Sequence, residues 1–157
     1  MKPILLLDVD GVLSIGGDQR ETVHLPGTYL PLWACRNWKS FLRKVDRISE
    51  LVWCTCWMER ANFIGKAAGI PERPHIPMVA IERVWHGDDQ DWKCVSVDRM
   101  FPDPARKLVW VEDGFRDDTH EWAKRRGNVK LIHVRWLSGL TKRSMRKVIR
   151  HLERATT

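Results

Sequence analysis

The sequence predicts an α/β fold, a three-layer sandwich around a mainly parallel five-stranded sheet. Three observations predict it. Residues Ile4–Leu7 form an unbroken apolar run, which reads as a strand covered on both faces. Further apolar runs alternate with segments of helical periodicity, which implies right-handed βαβ crossovers. Acidic residues directly follow two of the runs, at Asp8 and Asp10 and again at Glu112 and Asp113. In a parallel sheet those acids share the carboxyl edge, where open α/β sheets bind ligands.

Each element follows in chain order. After the first strand, residues 14–32 hold Gly16, Gly17, Pro26, Gly27 and Pro31 and are expected to form a loop, a flap or a hairpin without a folded cap. Trp38, Phe41, Leu42 and Val45 recur at i, i+3, i+4 and i+7, one face of a helix. A second strand is expected over 51–55. Residues 58–68 read as a helix with Ala61, Ile64 and Ala68 inward, stopped by Gly69. Pro71, Pro74 and Pro77 argue against a long element next. Residues 78–81 are the candidate third strand, 86–91 a loop, and Trp92–Met100 a short helix. The fourth strand, 108–111, runs into Glu112 and Asp113. Asp118 with Glu121 resembles a capping box for the next helix, and Gly127 marks its end. Residues 129–134 are the fifth strand. Thr141 can cap a last helix with Met145, Val148, Ile149 and Leu152 inward.

Composition sets the outer limits. The chain has 157 residues, 43% hydrophobic and 30% charged, as expected of one globular domain over 1–157. No apolar run approaches the roughly 20 residues needed to span a bilayer. The N-terminal segment lacks the apolar core and cleavage site of a secretory signal. A cytoplasmic protein is expected. Of the four cysteines, Cys35, Cys54, Cys56 and Cys94, none forms a C-x-x-C pair, so reduced thiols are expected rather than a zinc site. Cys54 and Cys56 flank Thr55 on the second strand and should share a face. Net charge is +7, but 141–157 carries six Lys/Arg against Glu153 alone, +5, which leaves +2 for the rest. Any nucleic-acid argument from charge therefore rests on the C-terminal helix, 141–155.

The strand ends bring together a set of groups suited to phosphoryl transfer. Asp8 and Asp10 repel each other, so a cation, a metal ion, is expected between them. Thr55 ends the second strand, and Lys93 precedes the acidic strand end at Glu112-Asp113, with Asp117 four residues beyond Asp113. A carboxylate such as Asp8 can attack phosphorus, and a second acid, Asp10, can protonate the leaving oxygen and then activate water. Magnesium takes hard oxygen ligands, while Thr55 and Lys93 can hold the non-bridging oxygens.

Asp8-Val9-Asp10-Gly11-Val12 resembles the D-x-D-x-[TV] signature of the haloacid dehalogenase (HAD) superfamily of phosphohydrolases. Thr55 resembles that family's second motif, Lys93 its third, and Asp113 with Asp117 its fourth. The likeness covers 4–140, the whole Rossmann-like core. It implies sheet order 5-4-1-2-3, with Asp8 as nucleophile and Asp10 as acid/base. It implies phosphate contacts from Thr55, Lys93 and Gly11. It also implies a Mg2+ site on Asp8, Asp10 and Asp113, with Glu112 or Asp117 as the outer acid. Lys66 is the competitor to Lys93, which is preferred because it lies 20 residues upstream of Asp113. Trp53-Cys54-Thr55-Cys56-Trp57 with Ala61-Asn62, and Trp110-Val111-Glu112-Asp113, are similar to small capless HAD domains associated with RNA repair proteins.

The expected activity is a Mg2+-dependent phosphatase acting through an aspartyl-phosphate. Neither 14–32 nor 57–92 holds a sizeable cap, and an open site admits a large substrate. A phosphorylated nucleic-acid end, concretely a 3′-phosphate, or a nucleotide is favoured. The alternative is a nucleic-acid- or partner-binding domain with little turnover. A phosphate-accepting receiver domain fits less well, because its acceptor ends a middle strand whereas Asp8 ends the first. Among the nine tryptophans, Trp53 and Trp110 are expected in the core. Trp33, Trp57, Trp85 and Trp92 are nearer loops, where a base could stack.

Overall fold

A computed structural model describes residues 1–18, 20–25, 31–78 and 91–156. Its elements are β1 (Ile4–Leu7), the hairpin strands β2 (Arg20–His24) and β3 (Pro31–Cys35), and α1 (Trp38–Ile48). There follow β4 (Glu50–Trp53), a 3₁₀ turn (Met58–Ala61), α2 (Asn62–Ala68) and α3 (Trp92–Met100). The chain continues through β5 (Leu108–Glu112), α4 (Asp117–Arg126), β6 (Val129–His133) and α5 (Lys142–Thr156).

Four strands form a parallel sheet in the order β4-β1-β5-β6. In register, Leu7 pairs with Trp53 on one side and Val111 on the other. This is the expected order for four of the five strands. Most of the expected third strand, 78–81, and of the loop 86–91 lies outside the described residues, as do Pro26, Gly27 and Trp85. The outer edge of β4 is not bare. His75 makes a parallel bridge to Trp53, with Ile76 N–H donating to the Trp53 carbonyl at 2.8 Å. The chain therefore reaches the third-strand position several residues before 78.

The sheet shows why β1 is apolar throughout. All four of its side chains are fully buried, but they alternate between two cores. Leu5 and Leu7 join Trp38, Phe41, Ile64, Met145 and Val148 beneath α1, α2 and α5. Ile4 and Leu6 join Cys94, Val97 and Trp122 beneath α3 and α4. With helices on both faces the molecule has three layers.

Four local expectations change. The 14–32 segment takes the hairpin form, two antiparallel strands, but runs past 32 to Cys35. Pro31 and the glycines obscured an alternation in which Leu32 and Ala34 point into the core and Trp33 points out. The 58–68 helix begins as a 3₁₀ turn, with Met58 at φ 52. Asp118 does not cap α4, whose N-cap is Arg116. The Asp118 carboxylate instead accepts the N–H of Asp91 at 2.6 Å. Finally, β4 ends at Trp53, so Cys54 is buried while Cys56 is exposed. The stops at Gly69 and Gly127 hold, both left-handed at φ 79 and 72. Thr141 Oγ1 accepts the Ser144 N–H at 3.2 Å at the start of α5.

Among the described residues no helix is long and apolar enough to cross a membrane.

Candidate active site

The chain leaves β1 toward β4 on one side and later returns to its other side as β5. The carboxyl end of β1 is therefore the point where strand order reverses, the place where open α/β sheets form a ligand crevice. Asp8 stands there, 5% exposed. Thr55, fully buried just beyond β4, donates its hydroxyl to the Asp8 carboxylate. Lys93, in the first turn of α3, reaches across with Nζ 3.5 Å from Asp8 Oδ1 and 2.5 Å from Glu112 Oε2.

This places the expected lysine. Lys66 lines a separate cavity beside Glu59, Ile70 and Pro71, whereas Lys93 joins the nucleophile candidate to the acidic strand end. A hydrogen-bond network holds the start of α3. Asp91 Oδ1 accepts the Lys93 backbone N–H at 2.9 Å, and Asp91 Oδ2 accepts the Thr119 hydroxyl at 3.0 Å. With Asp118 on the Asp91 N–H, the N-terminal ends of α3 and α4 are tied together. The sequence reading assigned neither Asp91 nor Thr119 a role, because their partnership joins segments 28 residues apart.

Burial, in a medium that disfavours charge, raises the pKa of both Asp8 and Glu112. Glu112 is pushed up to about 9, with repulsion from Asp8 adding to burial and Lys93 opposing it. For Lys93 burial acts against the charged form, but Asp8, Cys54 and Glu112 outweigh it and push the ammonium above its usual range.

The carboxylates that converge are Asp8, Glu112 and Asp113, whose ligand atoms all lie within 4.8 Å of one another. Of the two outer candidates, Glu112 lies in this group and Asp117, exposed in the first turn of α4, does not; the Asp10 side chain is not part of it either. Three carboxylates facing one ammonium leave two negative charges uncompensated when all are ionised. Hard oxygen donors with that surplus fit Mg2+.

Gly11 explains how Asp113 fits. It is left-handed at φ 69, and a Cβ there would overlap the Asp113 carboxylate, standing 2.8 Å from Asp113 Cβ. Its own N–H donates to the Ser14 carbonyl at 2.7 Å. In this structure Gly11 thus makes room for a carboxylate, and its N–H is already engaged. His133, at the end of β6, bonds the Asp113 carbonyl through Nε2 at 2.9 Å.

Asp10 is exposed, and its Oδ2 accepts the Trp57 indole N–H at 2.8 Å. Trp57 was expected near a loop as a stacking candidate, but its polar edge faces the second acid. Trp53 and Trp110 are fully buried, as expected. Trp136 was missed. It is 57% exposed beside Leu137 at 55%, with Trp33 at 45%. The Trp136 ring lies against Gly16, and the Trp33 carbonyl accepts the Ile15 N–H. The Trp136 indole and the Trp33 backbone therefore both contact the segment leading out of the Asp8–Ser14 turn. Arg20 stacks over Trp33 at 4.7 Å.

No protein-family model and no curated protein matches the chain. Among solved structures it is similar to that of a "putative 3-deoxy-D-manno-octulosonate 8-phosphate phosphatase" from Vibrio cholerae. The two share 16% identity and a TM-score of 0.48, over 98% of this chain and 84% of that one.

Proposed function

We propose that this chain is a Mg2+-dependent phosphatase of the HAD type that works through an aspartyl-phosphate on Asp8. One observation carries the reading: the convergence of Asp8, Thr55, Lys93, Glu112 and Asp113 at the carboxyl edge, with Lys93 bridging Asp8 and Glu112. In the first step an Asp8 oxygen bonds to phosphorus, the bond to the leaving oxygen breaks, and Asp10 gives that oxygen a proton. In the second, water attacks phosphorus, its proton passes to Asp10, and the bond to Asp8 breaks. Thr55 and Lys93 hold the phosphoryl oxygens as charge shifts. Mg2+ on Asp8, Glu112 and Asp113 would supply charge neutralisation between those acids and the phosphate.

The favoured substrate is a phosphorylated nucleic-acid end, in its most concrete form a 3′-phosphate, or a nucleotide. The exposed Trp33 and Trp136 offer indole faces for base stacking. The exposed basic residues of α5, among them Lys142, Arg143 and Lys147, favour a second reading, a nucleic-acid-binding domain with little turnover.

Phosphate release from 3′- and 5′-phosphorylated oligonucleotides, a sugar phosphate and p-nitrophenyl phosphate, with and without Mg2+, separates these readings. The proposal expects metal-dependent release, with the highest kcat/KM on an oligonucleotide. Tight, salt-sensitive oligonucleotide binding without release from any ester would support the binding domain.

A further inference from the structure

We infer that Trp57 is a positioning residue for the proton-transferring carboxylate of Asp10, an inference that rests on the phosphatase reading above. The turn after β4 builds this contact. The Thr55 carbonyl accepts the Met58 N–H at 3.2 Å, and Thr55 Oγ1 accepts the Trp57 N–H at 3.4 Å. Met58 takes a left-handed backbone at φ 52, a conformation that side chains with a Cβ rarely adopt. Such outliers persist where the surrounding structure over-determines them and cluster at functional sites. Here the turn lays the Trp57 ring, half-buried, against the core beneath α1 and α2, with Nε1 directed at Asp10. The same residue that orders this turn, Thr55, also bonds Asp8.

The contact selects one oxygen of Asp10. An exposed carboxylate can rotate among rotamers, and the other described side chain on it is Cys56, a weak donor with Sγ 3.9 Å away. The Trp57 N–H at 2.8 Å is the strong restraint. It occupies Oδ2 with a donor, so a proton carried by Asp10 rides on Oδ1, and Oδ1 is the oxygen presented to the leaving group. Trp57 itself touches neither phosphorus nor the leaving oxygen. It acts through Asp10.

The test uses the leaving group. A nitrophenolate departs without help, whereas an alkoxide needs its proton as the bond to phosphorus breaks. Trp57→Phe keeps the ring and removes the N–H. Steady-state kinetics on p-nitrophenyl phosphate and on glycerophosphate, an alkyl ester, should then diverge. Turnover of the alkyl ester should fall by roughly tenfold or more, and that of the nitrophenyl ester by no more than about threefold, with KM unchanged for both. Trp57→His, which keeps a ring N–H, should retain several-fold more alkyl-ester turnover than Trp57→Phe. An equal loss on both esters, or no loss on the alkyl ester, would overturn the positioning role while leaving the phosphatase reading intact. Failure of the unsubstituted protein to hydrolyse either ester would instead remove the reading on which the inference rests.

Discussion

The carboxylate of Asp113 fills the space that a side chain at Gly11 would need. The turn after β1 and the end of β5 are thereby locked together at atomic contact. Gly11→Ala would have to overcome both that overlap and a left-handed backbone, which costs about 1–2 kcal/mol for a residue with a Cβ. We expect the variant to unfold at lower denaturant, to lose about 2–4 kcal/mol in total with the overpacking included, and to bind Mg2+ more weakly. Chemical denaturation and a Mg2+ titration by calorimetry check both.

Stability without metal should depend on pH in a defined direction. Glu112 is raised from 4.5 to about 9 in the folded chain, and Asp8 is also raised. Between those values the folded state binds more protons than the unfolded state, so stability falls as pH rises from about 4.5 to about 9. The elevated Lys93 adds no slope in that window, because it stays protonated in both states. A thermal midpoint that declines across this range in chelator, and a larger Mg2+ stabilisation at its upper end than at its lower, are the expected results. A midpoint that rises with pH across the window would contradict the electrostatic account.

Asp91 joins the ends of two helices and holds the backbone of the residue that serves the site. Asp91→Ala removes the cap on α3 and leaves the Thr119 hydroxyl without that partner. Loss of about 1–2 kcal/mol is expected from the cap alone. Because Asp91 holds the backbone of Lys93 two residues on, phosphate-ester turnover should fall with it, whereas Thr141→Ala, which loosens the cap of α5, should lower stability without a comparable loss of turnover. Parallel melts and ester kinetics distinguish the two.

Under the proposed nucleic-acid substrate, the exposed Trp136 would stack a base, and it is not among the groups that converge on Asp8. Trp136→Ala should raise KM for a phosphorylated oligonucleotide, by a factor corresponding to about 1–3 kcal/mol of stacking, and leave p-nitrophenyl phosphate kinetics within about twofold. Equal effects on both substrates would remove this residue from substrate recognition.

The sequence made the centre of the molecule legible because its signals are local. Four apolar residues followed by Asp8 define a strand buried on two faces and the acid at its tip, and the structure places them so. Thr55 and Lys93 could be anticipated because strand ends and helix starts carry their own patterns. The choice between Glu112 and Asp117 stayed open in the sequence, since which of them turns toward Asp8 and Asp113 depends on side-chain direction in the assembled sheet. The partnership of Trp57 with Asp10 spans 47 residues and a left-handed Met58, which no pattern announces. Asp118 and Glu121 fit a capping pattern, yet tertiary contact diverted Asp118 to the Asp91 N–H. The bounds of the hairpin strands were hidden by Pro31 and the surrounding glycines, although the Leu32-Trp33-Ala34 alternation was a readable trace of one of them.

The central claim is that Asp8 carries the phosphoryl group. Its most direct test is hydrolysis of a phosphate ester in Mg2+ by the unsubstituted chain and by Asp8→Asn, with the melting of both followed in parallel. The account predicts that Asp8→Asn remains folded and loses turnover by at least about 10³-fold, the scale of a lost nucleophile. Undiminished turnover in folded Asp8→Asn would contradict it.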